Sequence, residues 1–297
     1  MTLTDSPAPA QTSNPERDVP TRRISFEEAL RHLPKHYAKD GDLIGSHLMA
    51  SLSAVFPDGE DFFVRSVRHY RDQITDPALK RQVAGFIGQE SVHGREHRAF
   101  NDRLHQLGYP TKKVERFTQK GLALRERIAP PISNLAATAA LEHFTATLAE
   151  VLMRDERTRE LVGDQEVRHL FLWHALEESE HKAVAFDVYK AVGGSERMRV
   201  WTMKAIRVTF VLGLTLQVVL SMLGDWRSCT PRRLWRSWKQ MRTSAFLSRE
   251  TWERLKDYDR PDFHPDDHDT DDLVVAWREQ LFGSDGSLND KLAARAA

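Results

Sequence analysis

The sequence predicts an all-α protein, and three observations carry that expectation. Glycine is sparse, 15 of 297 residues. Few segments alternate apolar and polar residues as half-buried strands do. Apolar residues instead recur every three and four positions, the period of a helix with one buried face. Basic and acidic residues balance at 43 each, so no net field is available for general nucleic-acid binding. The length suits one large domain, or one domain with an appendage. Cys229 is the one cysteine, which excludes a disulfide framework and a cysteine-rich metal site and is compatible with a reducing cytoplasm. A metal in this chain would rest on His, Asp and Glu.

In chain order, residues 1–22 are rich in Pro, Ser and Thr with no apolar run, and read as a disordered arm rather than an export signal. A short helix follows Ser25 and stops at Pro34. A second helix over 42–56 is expected to break at Pro57-Asp58-Gly59, with Asp58 as N-cap of a third over 59–73. Asp76-Pro77 opens a long helix to about residue 107, ended by Gly108-Tyr109-Pro110. Further helices are expected over 112–127, 132–154, 159–191 (ended by Gly193-Gly194), 196–223, 231–246, 249–257 and 270–282. The composition changes near 194. The expected organisation is an arm (1–22), a bundle (23–194), a helical C-terminal extension (195–283) and a tail (284–297).

The chemistry shows where polar residues take core positions. After Pro77 the apolar stripe runs Leu79, Val83, Phe86 and continues at the same spacing as Glu90, His93, His97 and then Phe100. In the 159–191 segment the stripe is Val167, Phe171, His174, Glu178, His181, Ala185, Val188. Glu142 interrupts the stripe Leu135, Thr138, Thr145, Ala149, Leu152. A buried carboxylate costs on the order of several kcal/mol unless it is paired or ligates a metal. Three such interruptions need a common partner, and a pair of dications is the simplest.

Glu90-x-x-His93 and Glu178-x-x-His181 each place a carboxylate and an imidazole on one helix face. Dinuclear carboxylate bundles use two such helices and one Glu from each of two others. Glu142 supplies one, and Glu60 is the candidate for the other. The expected fold is therefore a ferritin-like four-helix bundle with extra N- and C-terminal helices. Two of these positions have a second reading. Glu142 could rotate toward Arg154, and Glu60, in the expected first turn of its helix, is also where the macrodipole favours an acid.

The segments FPDGEDFFVRSVRHY (56–70), FIGQESVHGREHRAFN (86–101), LEHFTATLAE (141–150), WHALEESEHKAVAFDVY (173–189) and RPDFHPDDHD (260–269) resemble the bacterial predicted metal-dependent hydrolases. That resemblance spans about 40–282 and implies a metal site at the residues above, with hydrolysis as the activity. His174-x3-Glu178-x2-His181 is similar, more remotely, to the fourth-helix pattern of di-iron arylamine N-oxygenases, which implies His174 as an additional ligand. His97 is a further extra that this pattern does not contain.

The expected metal set is Glu60, Glu90, His93, His97, Glu142, His174, Glu178 and His181, with Glu90 and Glu178 catalytic. His97 and His174 stand evenly between ligation and supporting a ligand. Glu96, His143, Glu177 and Glu180 lie off the stripes and read mostly as solvated or supporting groups. His264, Asp266, Asp267, His268 and Asp269 sit in a Pro-rich loop without regular ligand spacing, and read as capping and surface residues. Val208–Leu223 is sixteen residues without a charge, short of the roughly 20 a spanning helix needs. Trp201 and Trp226 flank it, followed by Arg227, Arg232, Arg233, Arg236, Lys239 and Arg242 with Trp235 and Trp238. A helix buried on the bundle or in a homodimer is the first reading, and peripheral membrane contact the second.

An oxygen-rich ligand set suits two divalent ions, iron first, with manganese or zinc as alternatives. The expected function is a metal-dependent enzyme performing either O2-dependent oxidation, slightly favoured by the ligands, or metal-assisted hydrolysis. Oxidation would require an electron-donor reductase, since no flavin or nicotinamide motif is present. A small, apolar or lipid-like substrate fits the apolar helix. The non-catalytic alternative is iron binding or storage. The expected location is cytoplasmic, with membrane association open.

Overall fold

A computed structural model describes residues 14–293, so the expectations for 1–13 and 294–297 lie outside the described residues. The protein is all-α, and the described residues form no strand. In order, the helices are α1 (Leu43–Arg68), α2 (Pro77–Gln106), α3 (Thr111–Ile128), α4 (Pro131–Arg154), α5 (Glu156–Leu161), α6 (Gln165–His181), α7 (Val184–Ala191), α8 (Glu196–Gly224), α9 (Pro231–Met241), α10 (Arg249–Asp257) and α11 (Asp271–Phe282). Their starts follow the expected chemistry. Asp42 caps α1 by accepting from Gly45 N at 2.6 Å, and Asp76, just before Pro77, caps α2 by accepting from Ala78 N at 2.9 Å.

Four expectations about elements are corrected. The stretch after Ser25 makes only a 3₁₀ turn, Ala29–His32, pinned by buried Phe26 and Leu30. The segments 42–56 and 59–73 are one helix with Pro57 inside it. A proline in a helix frees the carbonyl four residues earlier. Here that carbonyl, of Ser53, accepts from Asn101 Nδ2 of α2 at 3.1 Å. A tertiary contact thus replaces the missing bond, and Asp58 is an interior residue rather than a cap.

The segment 159–191 is not one helix. Gly163 takes φ +77°, and any side chain there would run into the backbone of Ala38 and Lys39. Asp164 then caps α6 by accepting from Glu166 N at 2.9 Å. A second interruption at Lys182 and Ala183 separates α6 from α7, directly after His181. The basic helix expected over 231–246 ends at Met241, and a 3₁₀ turn at Ala245–Leu247 follows.

The described part of the expected loose arm, 14–22, lies along α2. Gln82 Nε2 donates to Asn14 O at 2.8 Å and Gln89 Nε2 to Pro20 O at 3.0 Å. Gly85 and Gly88 permit that approach, because a Cβ at either would meet Val19 or Thr21. Near the other end, Ile24 bridges Leu292, and Leu288 is buried.

The core comes in two apolar halves. One holds Ala50, Phe100, Leu104, Ala149, Leu152, Leu170, Phe171 and Trp173; the other holds Phe62, Phe63, Val67, Phe86, Leu135, Ala139, Val184 and Val188. Each of α1, α2 and α4 contributes to both halves, and α6 passes from one toward α7 in the other. Between them every one of these helices carries acid, and two carry imidazole as well. α8 packs across α1 and α4.

Candidate metal centre

Each stripe expected to turn polar does so at the same level of the bundle. Glu60 on α1, Glu90 and His93 on α2, Glu142 on α4, and His174, Glu178 and His181 on α6 are all buried. Three groupings, Glu60/His93/His174, Glu90/His93/Glu178 and Glu90/Glu142/His181, each bring one donor atom per residue within 4.8 Å of the others. Sharing of Glu90 and His93 makes these one cluster. Glu60 sits mid-helix, so the macrodipole is no longer a reason for its acid.

The outward hydrogen bonds fix which imidazole nitrogen faces inward. Gln89 donates its amide to Pro20 O and to Glu180 Oε2 at 2.8 Å, which leaves Gln89 Oε1 to accept from His181 Nδ1 at 2.8 Å. His181 Nε2 therefore points its lone pair inward, 3.0 Å from Glu90 Oε1 and 3.2 Å from Glu142 Oε2. Glu177 takes Arg22 on Oε1 at 2.9 Å and His93 Nε2 on Oε2 at 3.0 Å. His93 Nδ1 then faces Glu90 and Glu178 at 4.0 and 3.9 Å.

The third imidazole is set by a longer chain. Asn101 Nδ2 is committed to Ser53 O and to Glu115. Asn101 Oδ1 thus accepts from Ser53 Oγ at 2.7 Å, and Ser53 Oγ from His97 Nδ1 at 2.8 Å. His97 Nε2 in turn accepts from His174 Nδ1 at 2.7 Å. His174 Nε2 is left facing Glu178 Oε1 at 2.9 Å and Glu60 Oε1 at 3.8 Å.

Three imidazole lone pairs thus converge on four carboxylates. Both oxygens of Glu60, Glu90 and Glu142, with His93 Nδ1 and His181 Nε2, are buried without a hydrogen-bond partner. Lone pairs facing carboxylates repel unless a cation or protons lie between them, and buried unpartnered acceptors are costly. The donor set fits dications. Left to protons, burial and the neighbouring carboxylates push Glu60 and Glu142 well above the usual carboxylate range. Burial alone would lower His181, but Glu142, Glu178 and Glu90 outweigh it and raise the ring. For His93, burial and the neighbouring His174 outweigh Glu90 and Glu178, and the ring falls to about 3.

Of the two places open to His97 from the sequence, ligand or support, its contacts fit the second. Both its ring nitrogens are engaged, by Ser53 and by His174, and it belongs to none of the donor groupings. Of the two readings for the off-stripe residues, burial excludes the solvated one: Glu96, His143, Glu177 and Glu180 are all buried. Glu180 accepts from Arg22, Gln89 and Arg278, and Glu96 from Phe26 N. Sequence reasoning missed Arg22, Gln89, Thr145 as the donor to Glu178 Oε2 at 2.5 Å, and the Ser53–Asn101 link. The acid Glu177, beside Glu178 on a helix too polar for one wet face, was the available signal.

A further trio, His36, His47 and Asp225, also lies within reach of a common ion. Cations already serve it. Lys35 Nζ lies 2.7 Å from Asp225 Oδ1, and Arg233 donates to His36 Nδ1 at 3.1 Å, leaving His36 Nε2 to donate to Asp225 Oδ2 at 2.8 Å. The trio clamps the N-terminal segment to the end of α8. In the loop around 264, His264 accepts from Asp266 N and pairs with Asp187 at 2.8 Å, a capping arrangement.

A cleft of about 280 Å³ leads to the cluster between α1, α3, α4 and α8. Phe56, Phe63, Leu122, Leu141, Phe210 and Leu214 form most of its wall, and Glu60, His174 and Glu178 reach it from the cluster.

The family model described as "Predicted metal-dependent hydrolase" matches residues 20–269. No curated protein and no solved structure matches the chain.

Proposed function

The chain belongs to the family of predicted metal-dependent hydrolases, and from that membership and the cluster we propose an enzyme that holds two divalent ions and transforms an apolar small molecule. The observation that carries the reading is the convergence of three oriented imidazole lone pairs on four carboxylates. Glu60, Glu90, Glu142, Glu178, His93, His174 and His181 would hold the ions, and the order Glu, Glu-x-x-His, Glu, Glu-x-x-His supports a ferritin-like bundle. So oxygen-rich a set suits iron better than zinc, which favours oxidation with O2. Such an ion pair supplies redox chemistry with O2 as iron, or acidifies water and polarises an acyl or phosphoryl oxygen as a hydrolytic pair.

The chain's own residues do the rest. The wall of Phe56, Phe63, Leu141 and Phe210 takes the apolar part of the substrate and excludes water. Glu177, Gln89 and His97 keep protons on the outer nitrogens of His93, His181 and His174, holding the inner ones as acceptors. Thr145 fixes one oxygen of Glu178, one of the two carboxylates that reach the cleft, and His174 lies at the other. Electrons for oxidation would come from a separate reductase. Hydrolysis is the second reading, favoured by the family description.

Metal analysis of protein purified without added metal comes first. Two irons per chain, with an absorption change when O2 meets the reduced protein, is the expected result. A colourless zinc or manganese protein that cleaves model esters would establish hydrolysis instead. Glu90→Ala combined with Glu178→Ala should abolish metal retention, and full metal content in that variant would refute the site.

A further inference from the structure

The outer side of α8 is apolar where a solvated helix would be polar. Trp201, Val208, Leu212, Leu216, Val219, Leu220 and Leu223 recur at three- and four-residue spacing and are exposed, Leu212 by 64%. The opposite side is fixed to the protein by buried Met203, Arg207, Val218 and Ser221. α3 repeats the pattern with Phe117, exposed by 75%, Leu124 and Ile128. These two helices also form part of the cleft wall, through Thr118 and Leu122 on one and Phe210 and Leu214 on the other. An exposed apolar surface of this kind, continuous with a cleft, marks a docking face.

What covers it is indicated by its flank. From Trp226 to Arg249 the chain carries seven basic residues, Arg227, Arg232, Arg233, Arg236, Lys239, Arg242 and Arg249, and no acid. Trp226, Trp235 and Trp238 are exposed among them. Apolar stripe, exposed tryptophans and a cationic border together match a bilayer interface with anionic headgroups. A protein partner or second copy would not need that order of apolar, amphipathic and cationic zones.

We propose that the outer faces of α8, α3 and α9 seat this protein in the surface of an anionic bilayer, with the cleft opening toward the lipid, so that an acyl-chain-bearing molecule enters from the membrane. By length and apolar composition alone, α8 would suffice for a membrane span. Two observations lay it along the surface instead. Arg207, inside the helix, is paired with Asp259 at 2.5 Å and donates to Leu255 O. The uncharged run of sixteen residues also measures only about 24 Å against a hydrocarbon core of roughly 30 Å. The substrate class rests on the enzyme reading above; the docking does not.

The test is co-sedimentation of the full chain with vesicles of phosphatidylcholine alone or with phosphatidylglycerol. Binding to the anionic vesicles, weakened by salt, is expected. Arg232→Gln, Lys239→Gln and Arg242→Gln together should weaken it by roughly 100-fold. Leu212→Asp with Leu216→Asp should abolish it, with helical content and metal retention unchanged. Brominated lipid should quench the wild-type tryptophan fluorescence. Glu90→Ala with Glu178→Ala should bind vesicles as the wild type does, so loss of the metal reading leaves this result standing. Absence of vesicle binding at low salt overturns the proposal, and so does a vesicle-independent dimer that the Asp variants dissociate.

Discussion

A histidine can offer a lone pair inward only if its other nitrogen gives up a proton outward, so the residues behind the cluster matter as much as those in it. Arg22 shows this most directly. It lies 2.9 Å from Glu177 Oε1 and 2.7 Å from both oxygens of Glu180. Burial pushes Glu177 up, and Arg22 opposes that. Without the guanidinium, Glu177 would take a proton and donate to His93 Nε2, leaving the inward Nδ1 protonated and without a lone pair for a metal. Arg22→Ala should cost about 3–5 kcal/mol in denaturant unfolding and weaken metal retention by roughly 10–100-fold. Intact metal affinity in that variant would separate Glu177 from the centre.

His143 makes a prediction away from the metal. Burial lowers it to about 3, against the ordinary 6.5, while its bond to Arg254 O opposes the shift. Below about pH 6.5 the unfolded chain binds a proton that the folded chain refuses. The stability from this group is therefore complete above that pH and lost as pH falls toward 3. His143→Asn should remove about 1.4 kcal/mol per pH unit from the slope of stability between roughly pH 6 and 4. An unchanged slope in urea titrations across that range would exclude the group as a contributor.

For single elements, the instructive case is α1. Read locally, Pro57-Asp58-Gly59 is a break; in the structure the helix runs through it because α2 supplies Asn101 to the freed carbonyl of Ser53. Asn101 also accepts from Ser53 Oγ, so one side chain both completes α1 and ends the chain that orients His174. Asn101→Ala leaves those groups unpaired in a buried place. It should lower unfolding stability by about 1–3 kcal/mol, and thermal unfolding equal to wild type would show that water replaces the amide. The α5–α6 break has the same lesson. There Gly163 meets the backbone at Ala38 and Lys39, and that contact is not local.

Across the whole molecule, a band of carboxylates and imidazoles divides the interior into two apolar halves. Protons or ions must neutralise that band before the halves can close. Metal loading should therefore stabilise the entire fold, not one loop. At a free ion concentration about 100 times the dissociation constant, one site adds about 2.7 kcal/mol. For a chain of this size that is roughly 4 °C in Tm. Calorimetry of chelated and reloaded protein reads the shift directly; identical transitions would mean that the band is closed by protons alone.

Helices α2, α3, α4, α8, α10 and α11 were legible in the sequence, and so were the interruptions at Glu90, His93, Glu142, His174, Glu178 and His181. Both follow from a period of 3.6 residues, which is a local property of the chain. The rest is long-range. Which imidazole nitrogen faces inward, the burial of Glu177 and Glu180, and the place of His97 behind His174 depend on partners separated by 44 to 158 residues. Periodicity assigns a side chain to a face of its own helix, but hydrogen-bond partners are assigned by the packing of other helices against that face. The sequence thus determined where ionisable groups enter the core. Only the tertiary structure decided how their protons are distributed, and with that which atoms are left to hold a metal.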